Sequence, residues 1–139
     1  MTLQDLAVRW TPRLLSVLRI MTGLLFFEHG TAKLFDFPAG AFPGGGHMDL
    51  TGVIGISALL EFFGGALIAL GLFTRPVAFL LSGEMAVAYF LVHAPGNFFP
   101  LLNHGEGAIL YCFIFLYLSA AGPGPWSLDR VRTATGQPV

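Results

Sequence analysis

The sequence predicts an all-α integral membrane protein, a bundle of four antiparallel transmembrane helices with both termini cytoplasmic. Three observations carry that expectation. Hydrophobic residues fill 55% of the 139 positions and charged residues only 11%, with mean hydropathy +0.73, whereas a soluble domain averages about 25% charged residues. Four apolar stretches, each near the roughly 20 residues that cross a bilayer, are separated by glycine- and proline-rich breaks. The few charges inside those stretches sit at helical spacing, as buried intramembrane charges do when they face protein.

The same numbers exclude other classes. A net charge of −1 gives no electrostatic basis for nucleic-acid binding. One cysteine, Cys112, rules out an intrachain disulfide and a multi-cysteine metal site. Residues 1–12 lack an apolar core followed by a small-residue cleavage site, so no secretory signal is read there. The first long hydrophobic stretch is expected to stay as an anchor.

Residues 1–12 are mixed in character. Leu3, Leu6, Ala7 and Trp10 suit one side of a short interfacial helix, and a frayed terminus fits equally well. The first span is expected at 13–35. On a helix turning about 100° per residue, Arg19, Thr22, Gly23, His29, Gly30 and Lys33 share one side. Glu28 falls nearly opposite, where it suits either a contact with another protomer or subunit or a carboxyl protonated in lipid. The loop that follows, DFPAGAFPGGGHMDL, is broken by proline and glycine, and its phenylalanines can pack back on the bundle.

The second span is expected at 51–73. It carries Glu61 and the pair Gly64–Gly65, small residues that let helices approach closely in lipid. Thr74-Arg75-Pro76 is a very short turn, so spans two and three form an antiparallel hairpin. The third span, 76–93, holds Glu84 near its middle. APGNFFPLLN is turn chemistry. The fourth span, 104–121, starts with His104 and Glu106 and carries Tyr111 and Cys112. GPGPW stops it, leaving a cytoplasmic tail at 123–139 in which Ser127 suits the cap of a short helix.

Cytoplasmic flanks of membrane proteins are rich in Lys and Arg. Four spans put Arg9, Arg13, Arg75, Arg130 and Arg132 on one side and Lys33 near the other. That predicts a multi-pass protein with both termini cytoplasmic and with His47, His93 and His104 toward the outer face.

Helical rise sorts the buried charges by depth. Measured from Arg13 and Arg75, Arg19 lies about 9 Å in and Glu84 about 13 Å in, which suits a pair. His29 lies about 24 Å in and Glu61 about 21 Å in, so Glu61 is expected to meet His29 or Lys33.

The motifs resemble a known family. Arg19-x3-Gly23-x2-Phe26-x2-His29-Gly30-x2-Lys33-Leu34 is similar to the first helix of the DoxX family of small bacterial membrane proteins. Glu61-x2-Gly64-Gly65 and Gly71-Leu72-x-Thr74-Arg75 resemble its second helix and turn. Asn103-x2-Glu106 resembles the start of its fourth helix, and Gly122-Pro123-Gly124-x-Trp126-Ser127-x-Asp129 its ending. The resemblance implies a four-helix inner-membrane protein. The family is named after a subunit of an archaeal thiosulfate:quinone oxidoreductase, and other members are linked to redox homeostasis beside soluble oxidoreductases.

Arg19, His29, Lys33, Glu61, Glu84 and Tyr111 therefore form the candidate polar site. Quinone chemistry needs hydrogen-bonding and titratable groups beside an apolar slot, and this set can supply them. A purely structural ion-pair network fits the same residues. No haem, flavin or iron–sulfur motif is present, so electrons would come from a partner. His93, His104 and Glu106, with His47, are weak metal candidates: no tight local spacing such as HxxxH occurs, and the expectation is no metal. Cys112 reads as a small buried hydrophobe.

The function expected is a membrane subunit or anchor of a respiratory or sulfur-linked redox system, not catalytic alone, with quinone as a possible ligand. Its partners would be the lipid bilayer and another membrane or redox protein, or a second copy. Two other classes compete: a small proton, ion or solute transporter using the buried carboxylates, and a purely structural subunit of a larger complex.

Overall fold

A computed structural model describes residues 1–47 and 49–136. Residues 48 and 137–139, the latter the end of the expected tail, lie outside them. Among the described residues the chain is helical throughout, with no strand.

Helix α1 runs Leu3–Phe35, 33 residues without a break. Neither expectation for residues 1–12, a separate interfacial helix or a frayed end, matches this. The cause is a capping box: Thr2 Oγ1 accepts from the Asp5 amide at 3.1 Å, and Asp5 accepts from the Thr2 amide at 2.8 Å. Pro12 removes one amide donor within the helix. Around it, side chains reach back to carbonyls one turn earlier, Thr11 to Ala7 at 2.7 Å and Arg13 to Arg9 at 3.1 Å.

Asp36, at φ 53°, closes α1, and the loop folds back so that the Gly46 amide reaches the Lys33 carbonyl at 3.0 Å. Helix α2, Val53–Leu70, ends at Gly71 with φ 67°. There the amides of Leu72 and Gly71 return to the carbonyls of Leu67 and Ile68, a Schellman arrangement that needs a left-handed residue. Helix α3, Thr74–Ala88, continues into a π-helical turn over Tyr89–His93. A short α4, Pro100–Asn103, leads to α5, Glu106–Ala121. Ser127 accepts from the Arg130 amide and starts α6, Leu128–Ala134.

By length and composition, α2 and the run Thr74–His93 are each able to cross a membrane, and α5 is a shorter apolar helix. Large hydrophobic side chains such as Phe63, Phe90 and Phe113 point outward, as they do where lipid is the solvent.

Helix α1 packs along α2, and α3 along α5; the two pairs meet more loosely. Glycine sets the first contact. A Cβ on Gly65 would stand 2.8 Å from Phe27 Cα, and one on Gly30 would stand 2.6 Å from Phe62 Cα. The backbones touch because no side chain separates them. Phe26, Ile68, Leu81, Met85, Phe115 and Leu118 join the pairs in one buried core.

Candidate functional site: a polar cavity between the helix pairs

The six polar residues singled out above separate into two places. Arg19 is fully buried near the ends of α2 and α5. Its Nε donates to Pro123 O at 2.8 Å, its Nη1 to Ile68 O and Ala69 O at 2.6 Å each, and its Nη2 to Trp126 O. The expected pair with Glu84 is not formed. The last carbonyls of a helix have no amide partner of their own, and a guanidinium carries five donors in a plane suited to several acceptors. The nearby carboxylate is Asp129, which acts on Arg19 through space. Asp129 itself accepts from the Phe73 and Thr74 amides, both at 2.8 Å, at the N-terminus of α3. Depth arithmetic missed it because it lies in the tail. Arg19 thus ties the end of the chain to the α2–α3 turn.

The second place is at the opposite end of α1's buried stripe, around Lys33. Lys33 Nζ donates to Glu61 Oε1 at 2.6 Å, and to Ser57 Oγ at 3.2 Å. Ser57, one turn before Glu61 on α2, also donates to Glu61 Oε1 at 3.2 Å. Glu61 is therefore met by Lys33 and not by His29. His29 is exposed, with Nδ1 on its own helix at Leu25 O, 2.9 Å away, and its ring edge-on to Tyr111 at 5.8 Å. Phe42 comes back from the loop, as its phenylalanines were expected to, and lies 5.4 Å from Lys33 Nζ.

Glu84 faces this group from α3, with Ser57, Glu61 and Lys33 as its electrostatic neighbours. Both its carboxyl oxygens, and Glu61 Oε2, are buried without a hydrogen-bond partner among the described residues. One ammonium thus faces two carboxyl groups. Buried polar atoms of this kind are costly unless a proton, a water or a ligand satisfies them.

They border a cavity of about 810 Å³ between the α1–α2 and α3–α5 pairs. His29, Lys33, Glu61, Glu84 and Tyr111 supply its polar wall; Phe26, Phe79, Leu80 and Leu91 are among its apolar lining. A few polar groups in a mostly apolar pocket is the common form of a small-molecule site.

The remaining candidates divide: His93 and His104 also line the cavity, and the others do not. Glu28 is exposed on α1, and its charge acts on Tyr111 through space. His93 Nδ1 lies 3.1 Å from Asn103 O, and His47, His104 and Glu106 are exposed. No group of three His, Cys, Asp or Glu among the described residues is placed to hold a metal. Cys112 is half-buried, its carbonyl bonded by Ser82 Oγ at 2.8 Å.

An all-helical chain whose outward faces are largely apolar and whose Arg19, Lys33, Glu61 and Glu84 turn inward has the form of a membrane protein. The DoxX family model matches residues 14–94, and this chain belongs to the DoxX family. It is 42% identical over 125 residues to an uncharacterized protein of Haemophilus influenzae, covering 88% of this chain and 92% of that protein. It is 32% identical over 127 residues to the inner membrane protein YqjF of Escherichia coli, covering 83% and 88%. A Bacillus subtilis relative named "Putative oxidoreductase CatD" is 29% identical over 114 residues, covering 81% and 82%. No solved structure matches the chain. The C-terminal motifs at Asn103 and Gly122 fall outside the residues matched by the family model.

Proposed function

We propose that this protein is a four-span inner-membrane subunit of a redox system, with both termini cytoplasmic, that holds a quinol in the cavity between its helix pairs. The observation that carries this reading is the set of orphaned carboxyl oxygens of Glu61 and Glu84 on the wall of an apolar cavity. A quinol presents two hydroxyl donors on an aromatic ring, and those oxygens accept. An oxidised quinone presents acceptors only; Lys33 keeps one N–H beyond those given to Ser57 and Glu61, and the Tyr111 hydroxyl is a second donor on the wall, but a quinone would leave the carboxyl oxygens unserved. Those acceptors fit the reduced form better.

When bound, a quinol supplies two electrons and two protons. The chain's own part is narrower. Glu84 accepts a hydrogen bond from the ring hydroxyl, Lys33 and Ser57 hold Glu61 in place, and the apolar lining excludes water. Electrons pass to or from a partner protein, since the sequence carries no recognisable redox-cofactor motif. The name of the Bacillus subtilis relative agrees with a redox role. The four-span topology is supported by the alternation of apolar helices with short turns and by the arginines gathered at one end.

The test is ligand-induced stabilisation in lipid nanodiscs. A short-chain ubiquinol kept reduced with dithionite should raise the melting temperature more than the matching ubiquinone. Glu84→Leu should keep the fold and lose the quinol shift. Equal or absent shifts with both forms in the native protein would sink the reading. Proton flux in liposomes that depends on Glu84 without any quinol effect would favour a transporter instead.

A further inference from the structure

We propose that α1 is the seam of a parallel homodimer, in which Glu28 of one copy pairs with His29 of the second. His29 also borders the cavity, but the pairing does not depend on what the cavity binds.

The face of α1 opposite α2 is unpartnered. Leu14, Leu18, Met21 and Leu25 are exposed at 59%, 38%, 50% and 47%, and Glu28 continues the row. Their spacing is four, three, four and three, which places every member at an a or d position of a heptad pattern. The row stops where the loop covers the helix: Ala32 is buried, and Gly45 packs against its carbonyl. An apolar row alone would be satisfied by lipid. Glu28 is what lipid does not satisfy. Among the described residues no hydrogen bond or ion pair reaches its carboxyl group, and a carboxyl facing acyl chains is costly.

The chain carries the complementary group beside it. His29 is also exposed; its Nδ1 is engaged with Leu25 O, and among the described residues no hydrogen bond reaches its Nε2. If Glu28 is a d position, His29 is the adjacent e position. In a parallel helix pair, a d side chain packs into a hole of the facing helix that includes its e residue. A two-fold axis along the membrane normal therefore brings Glu28 to His29 of the other copy, and repeats that contact on the other side. One proton shared between carboxyl and imidazole satisfies both groups. A two-fold along the normal also keeps both copies in the same membrane orientation. A second copy is thus the occupant that supplies its own counter-group at the required depth.

The test uses the full chain in native membranes, with Cys112→Ser as background. Single Met21→Cys and Leu25→Cys variants should form disulfide-linked dimers on mild oxidation, while Phe113→Cys, on the exposed face of α5, should not. In lipid nanodiscs or liposomes, Glu28→Ala and His29→Ala should each weaken self-association about tenfold or more. The exchange Glu28→His with His29→Glu should restore it. Circular dichroism should show unchanged helicity for all variants, since both side chains are exposed. Equal cross-linking at the α5 position, or dimers indifferent to Glu28→Ala, would overturn the proposal. So would α1 cross-links that join the chain only to a different protein.

Discussion

Lys33 Nζ lies 2.6 Å from Glu61 Oε1, with the two side chains 12% and 4% exposed, and this pair ties the C-terminal end of α1 to α2. Breaking one half of such a pair leaves a buried charge uncompensated. Lys33→Met or Glu61→Leu alone should therefore destabilise the folded protein by about 3–5 kcal/mol. The double substitution should cost much less than the sum, because it removes both charges. Denaturant unfolding in detergent micelles checks this; additive losses would show that the pair does not act as a unit.

The glycines of α1 and α2 predict a contrast. Gly65→Ala places a methyl group against the backbone of Phe27, with Phe27 N only 2.5 Å away, and backbone cannot move aside cheaply. A loss of about 1–3 kcal/mol is expected. Gly83 is in the interior of α3 with nothing within 4 Å of an added Cβ. Gly83→Ala should be neutral or stabilising by up to about 1 kcal/mol, through helix propensity alone. Thermal unfolding of the two variants side by side separates close packing from propensity.

Arg19 predicts a local effect at a distant place. Its guanidinium holds the carbonyls of Pro123 and Trp126 against those of Ile68 and Ala69. Arg19→Lys keeps the charge but loses the planar set of donors, and should not restore the contact. The tail should come free before the helices unfold. Trypsin should then cut after Arg130 and Arg132 faster than in the native protein, while α2 and α3 stay protected. An unchanged cleavage rate in Arg19→Lys would mean that charge alone anchors the tail.

The start of α1 predicts a pH effect outside the membrane. Asp5 sits below the ordinary carboxylate value of 3.8, chiefly because it accepts the Thr2 amide and then the Thr2 hydroxyl. A carboxyl lowered in the folded state contributes stability above its unfolded value, and loses it as pH falls through the folded one. The first turn of α1 should therefore stay protected at neutral pH and fray below about pH 3.8. Amide hydrogen exchange in residues 3–8 reads this directly. Asp5→Asn should fray the same turn at neutral pH and flatten the pH dependence.

Much of the architecture is legible from composition and punctuation. Gly71 and Gly122 mark helix ends because the chain there needs positive φ, at 67° and 89°. Pro100 opens α4, and Ser127 caps α6. Residues 1–12, expected as a short interfacial helix or a frayed end, are instead the start of α1. A proline withholds only one amide, and the capping box at Thr2 and Asp5 holds the helix ahead of it. Within the site, Ser57 was overlooked although it stands four residues before Glu61, on the same helical face.

What the amino-acid sequence determined by itself is that Arg19, Lys33, Glu61 and Glu84 turn inward, since hydrocarbon does not solvate charge and the chain offers few other places for them. It determined too that Glu28 points the other way, from helical periodicity alone. Only the tertiary structure decided who meets whom. Depth along a helix says nothing about the order of helices around the bundle, nor about which backbone carbonyls are left open at a helix end. So Arg19 found the carbonyls of α2 and the tail, Lys33 took Glu61 ahead of His29, and Glu84 was left facing a cavity that no local pattern encodes.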